Sequence, residues 1–210
     1  MVVFVLASCK KEEAEETSET HVAPAASDID MSEISTLDGV TESSEPTDYV
    51  LIKIEGYGDV LVRLYPDVAP VTVANFKKLV SEKFYDGLIF HRVIKNFMIQ
   101  GGDPDGNGTG GSDETIYGEF KSNGFENNLA HKRGVVAMAR SQENNSASSQ
   151  FYICHKTSGV AHLDGSYASF GYVVYGMDAV DKIAKVKVND SDNKPLKDVV
   201  ITSIRFVTLP

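Results

Sequence analysis

The residues best suited to chemistry lie in one run, Phe90-His91-Arg92-Val93-Ile94-Lys95-Asn96-Phe97-Met98-Ile99-Gln100-Gly101-Gly102-Asp103. Arg92 carries a planar, rigid fork of donors that stays charged at any physiological pH. Two-residue periodicity puts Met98 and Gln100 on one face of a strand and Phe97 and Ile99 on the other, unless a bend at Asn96 re-aims Phe97. Taken alone, Phe97 and Met98 read more readily as core than as a binding surface.

Other chemistries fare worse. Asp103, Asp105 and Asn107, with Gly108 and Glu114, match the spacing of an EF-hand calcium loop. Such a loop joins two helices, however, whereas a strand-like segment precedes Asp103 and no clear helix follows Glu114. A glycine-rich surface loop accounts for the same residues. The five His and two Cys are scattered without paired spacing, so no metal site is expected. Cys154 lies inside an apolar run and reads as a buried small hydrophobe rather than a nucleophile. There is neither a Gly-x-Ser-x-Gly elbow nor a phosphate loop.

The elements that must position Arg92 are mostly short strands. Tyr49–Glu55 and Val60–Tyr65 flank the turn Gly56-Tyr57-Gly58-Asp59 and read as a hairpin, with Val60, Val62 and Leu64 on one face. Pro70 opens a helix expected over 70–84, because Val73, Phe76, Leu79, Val80 and Phe84 recur at three- and four-residue intervals. Further runs at Phe97–Gln100, Gly134–Ala139, Phe151–His155, Phe170–Tyr175 and Val199–Leu209, with a second helix at Met177–Lys185, point to a mainly β fold. The expected architecture is a closed or nearly closed antiparallel barrel capped by two helices.

The Arg92 run, together with Ser149-Gln150-Phe151-Tyr152-Ile153 and Leu163-Asp164-Gly165 leading to Phe170-Gly171, resembles the cyclophilins, the peptidyl-prolyl cis–trans isomerases. The resemblance covers essentially all of Tyr49–Pro210 and implies a closed eight-stranded antiparallel β-barrel with two helices. It also implies that Arg92 acts at the prolyl nitrogen with Gln100 beside it, and that Phe97, Met98, Tyr152 and Leu163 form the proline pocket. Gln100, Gln150 and the Ala139-Arg140-Ser141 backbone would hold the flanking peptide. Tyr152 stands where many members have Phe, adding a hydroxyl at the pocket, and Arg140 stands where Asn is common. His162 takes the position that is Trp in cyclosporin-sensitive members, and Tyr167 one often held by His. The segment from Ala139 to Gln150 is similar in length to bacterial members. The implied reaction needs no cofactor, metal or covalent step. A proline-binding chaperone or adhesion module with little catalysis is the alternative from another class.

Charge and composition set the context. The chain has 210 residues and a net charge of −10. Lys10 to Asp48 holds twelve Asp or Glu against two Lys, while 49–210 balances at eighteen of each sign. A neutral body with an acidic leader lacks the basic face that nucleic acid requires. Residues 10–48, rich in Glu, Ser, Thr and Ala, are expected to form a disordered tether spanning roughly 35 Å. Ahead of it, Leu6-Ala7-Ser8-Cys9 resembles the lipobox of bacterial lipoproteins. That likeness implies a signal remnant over 1–9, lipid attachment at Cys9, and an extracytoplasmic position on a bacterial cell or outer membrane. The expected partners are proline-containing peptides or unfolded exported proteins, met by a monomer.

Overall fold

The computed structural model describes residues 22–156 and 158–210. The expected signal over 1–9, Cys9 as the expected lipid site and residues 10–21 of the expected tether fall outside the described residues.

The strands are β1 (Thr41–Glu42), β2 (Tyr49–Ile54), β3 (Gly58–Leu64), β4 (Arg92–Ile94), β5 (Met98–Gly101), β6 (Val135–Met138), β7 (Phe151–Cys154), β8 (Ser169–Tyr175) and β9 (Ile201–Thr208). The helices are α1 (Pro70–Ser81) and α2 (Met177–Ile183), with 3-10 turns at Lys121–Asn123 and Ala161–Leu163. Among the described residues the strands form one antiparallel sheet of nine, ordered β1-β9-β2-β3-β8-β6-β7-β5-β4.

Two features of this sheet correct the sequence-based expectation. There are nine strands rather than eight, because Thr41–Glu42 of the acidic leader pairs with Val207 and Thr208 of β9. The hydrogen-bonded ladder also does not close. Its ends are β1 and β4, and the segment before β4 meets the start of β9 through the single bridge Ile89–Val200 and a few backbone bonds such as Phe90 N–H to Val199 O. A three-residue β4 is too short to extend a continuous seam.

Alternation in the strands works as expected. Val60, Val62 and Leu64 face the interior beneath α1 and α2, whereas Leu61 faces the opposite side. Helix α1 buries Val73, Phe76, Leu79 and Val80. The Phe76 ring centroid lies 5.1 Å from those of Tyr85 and Phe170 and 5.6 Å from that of Phe151. Such an aromatic nucleus contributes beyond its buried area through edge and tilted contacts. The helix ends at Ser81, short of the expected 84. Lys83 takes a left-handed conformation, φ 56°, and the Phe84 N–H returns to Leu79 O.

At the other end of α1, Pro70 removes one orphan donor and Ala69 offers no capping side chain. A distant residue supplies the cap: the fully buried Glu119 accepts from Val71 N, Thr72 N and Thr72 Oγ1 at 2.7–2.9 Å. A carboxylate at this terminus satisfies the donors and opposes the positive end of the helix dipole.

The described part of the expected tether, residues 22–48, is ordered against the body. Ile29, Met31, Ile34, Leu37 and Val40 pack over an outer cluster that includes Leu61, Tyr65, Val135, Tyr172 and Val174. Ile34 N–H donates to Val174 O at 2.8 Å, Glu33 accepts from Tyr172 Oη, and Asp30 meets Arg63. Five apolar side chains spaced along 29–40 bury enough surface to hold this segment, although the average composition of 10–48 hides them.

Candidate active site

Strand register assembles the site. Arg92 on β4 lies opposite Gln100 on β5, and Gln100 lies opposite Tyr152 on β7. Arg92 Nη1 donates to Gln100 Oε1 at 3.2 Å, Gln100 Nε2 to Gln150 Oε1 at 2.9 Å, and Gln150 Nε2 to the carbonyls of Gly110 and Gly108 at 2.7 and 3.1 Å. Each amide is thereby oriented by the next, and the rest of the Arg92 fork lines an open cleft.

That cleft has a volume of about 300 Å³ and is lined by Arg92, Phe97, Met98, Gln100, Ala139, Arg140, Tyr152, Leu163 and Tyr167. An adjoining hollow of about 340 Å³ shares Gln100, Ala139 and Arg140 and adds Gln150, Ser141 and the backbone of 108–112. Every residue expected at the peptide-binding site borders one of the two except His162. The exposed His162 ring stacks on Phe97 at the rim, 5.8 Å between centroids.

The open question about Phe97 is resolved by Asn96, whose φ of 59° turns the chain. Phe97 joins Met98 on the cleft side, while Ile99 enters the interior. Where β5 ends, Gly102 has φ +85°, and a Cβ there would stand 2.5 Å from Ser149 O. Only glycine lets this strand exit pass so close to the lead-in of β7.

The Arg140 side chain, expected to matter only through its backbone, is a clamp. Its guanidinium carbon sits 4.9 Å from the Phe120 ring and 4.8 Å from the Tyr167 ring, and its N–H groups donate to the carbonyls of Ser166, Ser141 and Gln142. It fixes Tyr167 at the cleft wall by charge–ring attraction.

The Tyr152 hydroxyl does not project into the pocket as expected. It reaches His131 Nε2 at 2.9 Å behind the cleft, and burial pushes its pKa well above the ordinary phenol value. Neither His131 nor Phe120 was singled out from sequence. His131 is a lone histidine remote from every motif, and nothing in the chain pairs it with Tyr152 before the strands are placed.

The calcium-like loop serves the cleft in a different way. Asp103 is buried, and its carboxylate accepts from the amides of Asp105, Asn107 and Gly108. Burial raises its pKa, but those amides outweigh it and hold the carboxyl below its usual range. Glu114 pairs with Lys78 on α1 instead of turning toward Asp103. The loop so held presents the Gly108 and Gly110 carbonyls that orient Gln150. Among the described residues no group of three or more His, Cys, Asp and Glu is placed to hold a metal. Cys154 is wholly buried, its thiol pushed up to about 12 by burial, as suits a packed hydrophobe.

Residues 49–206 match the family model described as cyclophilin type peptidyl-prolyl cis-trans isomerase/CLD, and the chain belongs to that family. It is 40% identical over 154 residues to peptidyl-prolyl cis-trans isomerase-like 3 of Gallus gallus, covering 73% of this chain and 92% of the relative. It is 43% identical over 147 residues to the peptidyl-prolyl cis-trans isomerase cyp15 of Rhizopus delemar, covering 70% of this chain. The chain spans only 22% of that longer protein. Among solved structures, a cyclophilin type isomerase of Cryptosporidium parvum crystallised with the dipeptide Ala-Pro aligns with a TM-score of 0.69 and 31% identity. That alignment covers 77% of this chain and 99% of the other.

Proposed function

We propose that this chain accelerates rotation about X–Pro peptide bonds. The observation that carries the reading is the Arg92–Gln100–Gln150 relay, which holds a guanidinium at the edge of an apolar cleft. The uncatalysed rotation faces about 18–20 kcal/mol because resonance gives the C–N bond partial double-bond character. A proline ring seated on Phe97, Met98, Tyr152 and Leu163 places its nitrogen near Arg92. A donor directed at that nitrogen favours its pyramidal form, which occurs at the twisted state and not in either planar isomer. The adjoining hollow, walled by Gln150 and the Ala139–Ser141 backbone, receives the flanking peptide. Every group needed is a hydrogen-bond donor or an apolar wall, so positioning supplies the rate.

The test is protease-coupled exchange of an Ala-Pro-Phe peptide with the full chain and with Arg92→Ala. The expected result is fast exchange that falls about 10²–10³-fold in the variant while its melting curve stays in place. Tight binding of the peptide by a folded wild type that does not speed exchange would favour the binding-module alternative.

The setting of this activity is also a proposal. The Leu6–Cys9 lipobox likeness, followed by the acidic run Glu12–Glu19, supports a lipid-anchored monomer outside the cytoplasm of a bacterium, assisting exported proteins to fold. Mass spectrometry of the mature protein from its host would show a diacylglyceryl group on Cys9; an unmodified Met1 would overturn the reading.

A further inference from the structure

A chain of polar contacts behind the pocket links it to the rest of the molecule. His131 precedes β6 and its side chain is 1% exposed. Asp164 Oδ1 accepts from the His131 backbone N–H at 2.7 Å and stands 2.9 Å from its Nδ1. An ionised carboxylate can only accept, so Nδ1 carries the proton and Nε2 keeps its lone pair. The Tyr152 hydroxyl, 2.9 Å from Nε2, therefore donates to it. The His131 carbonyl in turn accepts from Val160 N–H, which caps the start of the Ala161–Leu163 turn.

We propose that His131 is a positioning residue for the isomerase: one neutral imidazole ties the Tyr152 ring at the pocket floor to the turn that carries His162 and Leu163. The inference rests on the functional reading above. Tyr152 and Leu163 line the cleft from different segments, and His131, which does not itself line the cleft, is the shared partner that holds them in one arrangement. The groups facing the imidazole are Asp164 and His162 from the turn, Tyr152 from β7 and Ser169 Oγ from β8, 3.3 Å from Nε2. Burial lowers the His131 pKa below its ordinary 6.5 against the opposing pull of Asp164, so the ring is neutral at pH 7. A second proton would turn the Nε2 acceptor into a donor and strip the buried phenol of its partner.

The experiment is a double-mutant cycle of His131→Leu and Tyr152→Phe on the full chain, with kcat and KM measured separately from pH 5 to 8. His131→Leu should cut kcat/KM about tenfold, mainly through KM, and less than about twofold when Tyr152 is already Phe. The wild type should lose kcat/KM on acidification with a midpoint below 6.5, and Tyr152→Phe should flatten that limb. His131→Gln, which keeps an acceptor, should recover part of the loss. Equal losses in both backgrounds would overturn the proposal. Should His131→Leu fail to fold, nitrogen NMR of the histidines decides. The expected result is His131 bare at Nε2, with its titration midpoint moving up in Tyr152→Phe because the neutral form has lost its donor. A proton on Nε2 at pH 7 would overturn it. If the wild type binds the peptide without isomerising it, the functional reading fails on its own. The link is then judged by the peptide Kd across the same four proteins, where additive effects of the two substitutions would sink it.

Discussion

The cleft and the face covered by residues 29–40 lie on the same sheet but are held by opposite means. At the cleft, side chains from β4, β5 and the lead-in to β7 are fixed by hydrogen bonds that run from one to the next, and the apolar floor of Met98, Tyr152 and Leu163 stays open to a ligand. On the covered face, Ile29, Met31, Ile34, Leu37 and Val40 close over Leu61, Val135 and Val174, and the polar contacts at Arg63 and Tyr172 lie around them. A surface meant to bind something else must be shaped by polar bonds, because apolar packing that satisfies itself leaves no vacancy. Damage to the first should therefore appear in activity, and damage to the second in stability.

The sharpest separation comes from Arg92→Ala, expected to remove about 10²–10³ in kcat/KM with no shift in melting temperature. A fall of several degrees in that variant would mean that the relay also supports the fold. Next, Ile34→Asp should cost about 2 kcal/mol by placing a charge against apolar side chains. Its melting temperature should fall about 4–8 °C in a protein of this size, while kcat/KM of the folded fraction is unchanged. Loss of catalysis along with stability would break the division between the two regions. Arg140→Ala is a smaller, intermediate case: removing the charge–ring clamp frees Tyr167 and should raise KM about three- to tenfold with kcat little altered, a change of about 1 kcal/mol.

These regions also differed in how far the sequence disclosed them. Hairpin, helices and strands were visible because alternation and the 3.6-residue period are local, and the helix start at Pro70 is a local signal too. The cleft was legible only in part. Periodicity placed Met98 with Gln100 and left Phe97 to depend on Asn96, but nothing local says that Tyr152, Leu163 and Tyr167 meet them. That knowledge came from resemblance. What lies outside the motifs that carry the resemblance stays hidden: Glu119 capping a helix some 47 positions away in sequence, His131 behind Tyr152, and the covering segment. For that segment the error has a definite cause, since twelve acidic residues and many Ser, Thr and Ala set the average composition of 10–48 and mask the five apolar residues spaced along 29–40.

The smallest expected difference concerns acid, and it distinguishes the two regions by pH window. Bonds from Ser32 and the Arg63 guanidinium hold the exposed Asp30 carboxyl below its ordinary 3.8. A carboxyl whose folded pKa lies below its unfolded value contributes stability above the latter and loses it as pH falls through the folded value. The Asp30 contact should thus persist to about pH 4 and weaken only below it. His131 is likewise lowered, but from 6.5 and by burial. Below that pH the unfolded chain takes up a proton that the native ring refuses, so its stabilising effect starts to decline more than two pH units earlier. Melting temperatures from pH 7 to 3 should show Asp30→Asn slightly below wild type down to about pH 4, with the two curves merging beneath it as Asp30 is protonated. Salt should shrink that gap, because the pair is exposed. A gap that opens between pH 6 and 5 instead would mean that the covering segment responds to the pocket histidine, and the two regions would then be one cooperative unit.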